Sequence, residues 1–105
     1  MKCTERERHA LLTFKQNLED KYDMLSTWNN NQNPDCCKWK GVRCNNQTGY
    51  VQSLDLHGSE TRYLGGERTT INPSITELQH LKYLDLSSMI IFTQIPKFIG
   101  SLTKL

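Results

Sequence analysis

Four cysteines in 105 residues restrict this chain more than any other feature of its sequence. Cys36 and Cys37 are adjacent, and Cys44 follows seven residues later, with Trp39 between them. Zinc sites usually take cysteines as Cys-x-x-Cys pairs, which this sequence lacks, so the cysteines predict disulfide cross-links and no metal site. Because disulfides persist in oxidising compartments, we expect an extracellular or secretory protein.

Two disulfide pairings are compatible with these positions, because adjacent cysteines are poorly placed to bond each other. Either Cys3 pairs with Cys36 and Cys37 with Cys44, or Cys3 pairs with Cys37 and Cys36 with Cys44. In the chain-entropy model, the Cys3–Cys36 loop stabilises by roughly 3.5 kcal/mol and the Cys37–Cys44 loop by roughly 2.5 kcal/mol. With 36% hydrophobic residues and a mean hydropathy of -0.64, the core is small and folding depends on cross-links or neighbouring structure.

The first 30 residues predict a helix followed by a second apolar cluster. Thr4 and Glu7 form a capping box, in which Thr4 accepts from an early backbone N–H and Glu7 reaches back. The apolar residues then recur at helical spacing to about Asp20, and they are Ala10, Leu11, Phe14 and Leu18. Met24, Leu25 and Trp28 predict one or two further helical turns, and Trp28 and Trp39 are predicted core residues.

The sequence after residue 48 repeats. Val51-x-x-Leu54-x-Leu56 has the pattern of a strand, and Leu81-x-x-Leu84-x-Leu86 repeats it 30 residues later. The return segment repeats at 24 residues: Ile71, Ile75, Leu78 and Leu81 recur as Ile95, Ile99, Leu102 and Leu105. This period and pattern are typical of leucine-rich repeats, and the six extra residues predict a loop insertion between His57 and Thr70.

These patterns predict two regions in an α/β chain. Residues 1–47 form a disulfide-bonded helical N-terminal cap, and residues 48–105 form the first two or so repeats of a solenoid. Since three repeats are normally needed for stability, we expect a fragment with an unpaired apolar face at its C-terminal end. No apolar stretch follows Met1, so we expect either a removed signal peptide or a truncated product.

The motifs together resemble plant extracellular leucine-rich repeat proteins over nearly the whole chain. The cap motif is carried by Cys3, Leu11-Leu12-x-Phe14-Lys15, Leu25-Ser26-x-Trp28 and Cys36-Cys37-x-Trp39-x-Gly41-Val42-x-Cys44. The repeat motif is carried by Leu78-Gln79-His80-Leu81-Lys82-Tyr83-Leu84-Asp85-Leu86, by Gln94-Ile95-Pro96 and by Ile99-Gly100-Ser101-Leu102. The resemblance implies a right-handed solenoid with a concave parallel sheet, and it favours the pairing of Cys3 with Cys36 and Cys37 with Cys44.

The repeat also departs from the family pattern at two positions. Met89 stands where the pattern has Asn, whose side-chain amide bonds backbone groups between turns, and Thr93 stands where it has Gly. We therefore expect a degenerate turn in this part of the repeat.

The resemblance implies a protein-binding module, because its members are cell-surface receptor-like proteins, receptor kinases and secreted polygalacturonase inhibitors. We expect the N-terminal part of a receptor-like protein at the plasma membrane or in the apoplast, acting in immune or developmental signalling with a protein or peptide ligand and a co-receptor. The alternatives are a polygalacturonase-inhibitor-like protein and a truncated product that only caps a solenoid. Strand positions between the leucines are candidate ligand contacts: Ser53, Asp55, His57, Tyr83, Asp85 and Ser87.

The only N-glycosylation sequon places the acceptor at Asn46 in a predicted turn.

Other functions find little support in the sequence. A net charge of +2 is too balanced to indicate nucleic acid, and no apolar run spans a membrane. His9, His57 and His80 are far apart, and the acidic residues Glu5, Glu7, Glu19 and Asp20 fit a solvated helix. The sequence thus predicts no enzyme, catalytic residue, metal or cofactor.

Overall fold

The computed structural model describes residues 3–29, 31, 33–58, 63–66 and 69–86, together with the backbone of 90–91. It contains one α-helix, α1 (Glu5–Gln16), and two 3₁₀ helices, Cys36–Lys38 and Pro73–Glu77. The strands are β1 (Val42–Cys44), β2 (Val51–Asp55), β3 (Gly65–Gly66), β4 (Tyr83–Asp85) and β5 (Ile90–Ile91). Two sequence predictions lie outside the described residues: the degenerate turn at Met89 and Thr93, and the second return segment.

Helix α1 begins as predicted but ends four residues before Asp20. Thr4 caps it by accepting from the backbone N–H of Glu7 at 3.2 Å. Beyond the helix, the Asn17 carbonyl accepts from the Thr70 N–H at 2.9 Å, and Glu19 donates its N–H to the Thr69 hydroxyl at 2.8 Å. Because this backbone bonds to the insertion loop, it leaves the helical path, and the predicted end of the helix was wrong.

Residues 21–27 form hydrogen-bonded turns and not the predicted helical turns. The Asp20 carboxylate accepts from the N–H groups of Met24 and Leu25 at 2.8 and 2.9 Å. Asp23 has a φ of 52°, in the left-handed region that interrupts a right-handed helix. Leu25 and Trp28 are nevertheless buried, so the predicted apolar contacts form from turns.

The disulfides join Cys3 to Cys36 and Cys37 to Cys44, the pairing that the resemblance favours. Both tryptophans are buried beside them, which confirms that they are core residues. Their rings stack at a centroid distance of 5.6 Å, and each indole N–H finds a backbone carbonyl: Trp28 donates to Lys40 at 3.0 Å and Trp39 to Asn33 at 2.7 Å. Buried indoles need such partners.

The main sheet has the strand order β1-β2-β4. Strands β2 and β4 are parallel and pair Ser53 with Tyr83, Leu54 with Leu84 and Asp55 with Asp85, so the 30-residue repeat sets the strand register. Strand β1, which the sequence analysis missed, adds an antiparallel edge strand. Strand β1 belongs to the predicted cap and pairs with β2 of the predicted repeats across the turn at residues 46–48. The division between residues 47 and 48 stays a prediction.

The predicted insertion contains a short strand. Within it, β3 pairs in parallel with β5, forming a second sheet of two strands. The return segment after it buries the predicted aliphatic residues, which are Ile71, Ile75, Leu78 and Leu81. These side chains join those of the cap and of β2 and β4 in one continuous core.

Candidate functional site

Polar side chains alternate with buried leucines on β2 and β4 and share one face of the sheet. We call Ser53, Asp55, His57, Tyr83 and Asp85 the polar strip. Parallel register places Ser53 beside Tyr83 and Asp55 beside Asp85, whereas Leu54 and Leu84 are buried on the other side. The structure thus brings five of the six candidate contacts together, and the sixth, Ser87, lies outside the described residues.

The polar strip contains two carboxylates, Asp55 and Asp85, and each bonds a neighbouring side chain of the strip. His57 Nδ1 lies 2.5 Å from Asp55 Oδ1, and this hydrogen bond and the Asp55 charge raise the pKa of His57. The Tyr83 hydroxyl donates to Asp85 Oδ2 at 3.3 Å, and the charge of Asp85 raises the pKa of Tyr83. Both shifts favour the protonated form, because neighbouring carboxylates stabilise an imidazolium and disfavour a phenolate.

Asp55, His57 and Asp85 each offer a ligand atom, and these atoms lie within 4.8 Å of one another. One imidazole nitrogen and two carboxylate oxygens are ligands that divalent transition metals accept. His57 is exposed and the two aspartates are partly exposed, so water competes for the same groups. Ordinary hydrogen bonding accounts for the cluster, which the sequence analysis did not identify as a metal site.

Two shallow cavities flank Asp55. One, of about 370 Å³, is lined by Arg43 and Val42 from β1 and by Ser53, Asp55 and Tyr83. The other, of about 480 Å³, is lined by residues of the cap turn and by His57. Both cavities therefore border Asp55, and Arg43 lines the first of them.

Asn46, the predicted glycan acceptor, lies in a turn held by backbone and side-chain hydrogen bonds. The Asn45 side chain accepts from the N–H groups of Gln47 and Thr48 at 2.8 and 3.0 Å. Asn46 itself is exposed. An exposed turn gives a glycan the room it needs, and occupancy of the site stays a prediction.

Glu7 is a residue whose role the sequence analysis missed. It is only 2% exposed, so its assignment to a solvated helix face was wrong. Its carboxylate accepts from the Val51 N–H at 2.8 Å, at the start of β2, and burial raises its pKa. The spacing of Glu7, Leu11 and Phe14 places all three on one helix face, which is the signal that could have found it.

The comparisons with known proteins agree with this architecture. A disulfide-bonded helical cap followed by parallel strands in 30-residue register is the arrangement expected of a capped leucine-rich repeat protein. Residues 4–45 match the family model described as the leucine rich repeat N-terminal domain. The chain is 45% identical over 112 residues to "Receptor-like protein EIX1" of Solanum lycopersicum, covering 98% of this chain and 11% of that relative.

Solved structures show the same likeness. The BIR2 ectodomain from Arabidopsis thaliana matches with a TM-score of 0.74 and 28% identity, over 97% of this chain and 50% of that one. A chain of the BIR3–SERK2 complex from Arabidopsis thaliana matches with a TM-score of 0.70 and 32% identity, over 89% of this chain and 48% of that one. These findings confirm the predicted resemblance to the N-terminal region of plant leucine-rich repeat receptor-like proteins. The chain spans about a tenth of the length of the curated relative described above.

Among the described residues, no helix has the length and apolar character needed to span a bilayer.

Proposed function

We propose that this chain is the N-terminal protein-binding module of a plant cell-surface leucine-rich repeat receptor-like protein, acting in immune or developmental signalling. The observation that carries this proposal is the polar strip, because the repeat register holds its side chains on one rigid sheet face. Binding sites built on strands hold their side chains more accurately than sites on loops.

A protein partner fits the chemistry of the strip. Tyr83 is 44% exposed and offers an aromatic surface beside two carboxylates, and aromatic residues are enriched at interface hot spots. The likeness to a chain of the BIR3–SERK2 complex supports a co-receptor ectodomain as one such partner. We place the parent protein at the extracellular face of the plasma membrane or in the apoplast, where its disulfides are stable.

The cap has a second role in this proposal, which is to seal the first repeat. Helix α1 packs on the 3₁₀ helix Pro73–Glu77 through a hydrogen bond from the Ser74 hydroxyl to the Ala10 carbonyl at 3.0 Å. Terminal repeats of a solenoid need such a cover over their apolar end.

The test measures binding of the secreted, disulfide-bonded chain to the SERK2 ectodomain by biolayer interferometry. We expect the double substitution Asp55→Asn and Asp85→Asn, and separately Tyr83→Ala, to weaken binding about tenfold, as loss of a hot-spot contact does. Glu5→Gln is the matched control, since it neutralises an exposed carboxylate of α1 and should leave affinity unchanged.

Two results would contradict the proposal of a strip-mediated co-receptor contact. One is undetectable binding of the unsubstituted chain, and the other is equal weakening by the strip variants and by Glu5→Gln. A circular dichroism spectrum of each variant verifies that the fold is retained.

A further inference from the structure

A cavity of about 630 Å³ lies at the starts of β2 and β4, on residues that do not belong to the polar strip. It is built from both regions of the chain: Asn45 belongs to the end of the cap, and Thr48, Gln79 and His80 belong to the repeat region. Tyr50 and Gln52 lie between them. The proposed protein contact does not use this cavity.

The residues that line this cavity have the chemistry of a carbohydrate-binding site. Tyr50 stacks on His80 with ring centroids 4.1 Å apart and an interplanar angle of 19°, and Tyr50 remains 37% exposed. Amide and hydroxyl side chains line the cavity around this pair, together with Lys82 and two leucines, and among the described residues the lining contains no carboxylate. A sugar packs its C–H face on an aromatic ring and bonds its hydroxyls to neutral amides.

The sequon supplies an occupant for this cavity. Asn46 is exposed and lies between Asn45 and Thr48 in sequence, and both of these neighbours line the cavity. Asn46 precedes Tyr50 by four residues in the chain, so a sugar attached to Asn46 has a high effective concentration at the cavity. No free ligand has this advantage.

We propose that the N-glycan on Asn46 lies in this cavity and packs its first sugar against Tyr50 and His80. Because the cavity lies between the turn at the end of the cap and the segment before β4, the glycan stabilises the junction between the cap and the first repeat. It is then a structural element of this junction and not only a solubilising group.

The experiment uses the full chain secreted from plant cells with a signal peptide added. Intact mass first establishes occupancy of Asn46. Melting temperatures are then measured with the glycan intact, trimmed to the first sugar by an endoglycosidase, and removed by an amidase that converts the acceptor asparagine to aspartate. The variant Asn46→Asp, which never carries a glycan, controls for the new charge.

We expect complete removal to lower the melting temperature by about 4 °C, the shift that one aromatic contact gives in a domain of this size. The form trimmed to the first sugar should retain most of the stabilisation. In Tyr50→Ala, glycan removal should have no effect on the melting temperature. In the control Tyr22→Ala, which alters another exposed tyrosine outside the cavity and the polar strip, glycan removal should lower it as in the unsubstituted chain.

An unoccupied Asn46 would overturn the proposal, as would an equal loss of stability in Tyr50→Ala and in the unsubstituted chain. If Tyr50→Ala does not fold, NMR of the unsubstituted chain decides. Nuclear Overhauser contacts between the first sugar and the rings of Tyr50 and His80 are expected, and their absence in the glycosylated protein would refute the packing.

Discussion

The cap and the first repeat are stabilised in different ways. The cap is closed by two disulfides and by side chains that bond to its irregular backbone, as Asp35 does when its carboxylate accepts from the N–H groups of Cys3 and Cys37 at 3.1 Å. The repeat instead depends on backbone pairing between β2 and β4 and on stacked aliphatic side chains. The cap is therefore a locally closed unit, whereas each repeat strand needs a neighbour.

The two regions are joined by contacts that neither could make alone. The Glu7 carboxylate holds the first amide of β2, and Ser74 bonds back to α1. The exposed ion pair of Arg6 with Glu77 adds little, since such pairs are screened by water. We therefore expect the cap and the first repeat to unfold together.

The largest expected effect on stability comes from removing the disulfides of the cap. Replacing Cys3 and Cys36 together by serine should lower the free energy of unfolding by about 3.5 kcal/mol, because the unfolded chain regains the entropy of a long loop. Urea unfolding followed by fluorescence of the buried tryptophans measures it. The matched variant, Cys37 and Cys44 to serine, should lose about 2.5 kcal/mol, and a reversed order would contradict the loop argument.

In the repeat, truncation of a buried leucine should lower the free energy of unfolding most. Leu54→Ala removes a fully buried side chain at the centre of β2 and should cost about 3 kcal/mol in urea unfolding. Ser53→Ala, next to it on the polar face, is the control and should change stability by less than about 0.5 kcal/mol. Similar losses from both variants would mean that the two faces of β2 are not distinct.

Gly41 tests the place where the backbone of the cap meets β2. Its φ is 83°, and an added Cβ would lie 2.3 Å from the Asp55 carbonyl oxygen. The Asp55 N–H also donates to the Gly41 carbonyl at 2.8 Å, so neither backbone can retreat without losing this bond. Gly41→Ala should therefore destabilise by about 2 kcal/mol, measured as a fall in the urea midpoint. An unchanged midpoint would show that this close approach is absent.

The smallest effect is a pH dependence at the junction. Burial raises the pKa of Glu7 in the folded state, so between its unfolded and folded values the folded chain binds more protons. The contribution of Glu7 to the free energy of unfolding is thus highest below the ordinary glutamate pKa. It falls as the pH rises through the pKa of Glu7 in the folded state. Glu7→Gln should remove this fall in the free energy of unfolding, while its amide oxygen still accepts from the Val51 N–H.

Chemical unfolding at a series of pH values between about 4 and 8 measures this difference. Glu5→Gln, on the exposed side of the same helix, should retain the pH dependence of the unsubstituted chain. If Glu7→Gln and the unsubstituted chain follow the same curve, the buried carboxylate does not control the junction.

The periodic parts of the fold were predictable from the sequence. The spacing of Leu54 and Leu84 gave the parallel register, and the apolar spacing of Leu11 and Phe14 gave the buried face of α1. These predictions succeeded because side-chain periodicity reports burial directly. For the candidate site, the same alternation placed Asp55 and Asp85 on one face, although their distance from His57 required coordinates.

The features that sequence reasoning missed depend on long-range contacts. Strand β1 forms because the backbone at residues 42–44 pairs with β2, and β3 forms because Gly65 and Gly66 pair with β5. The early end of α1 follows from hydrogen bonds between residues 17–19 and Gly65, Thr69 and Thr70. Local propensity carries no information about such partners, and tertiary contacts override it.

Hydrogen exchange followed by mass spectrometry, with the disulfides intact and after reduction, tests most directly whether the cap and the first repeat form one cooperative unit. We predict that reduction removes the protection of α1 and of β2 and β4 together, since the repeat strands then lose the cover over their apolar end. If β2 and β4 stay protected after reduction while α1 exchanges freely, the two regions are independent and the account is contradicted.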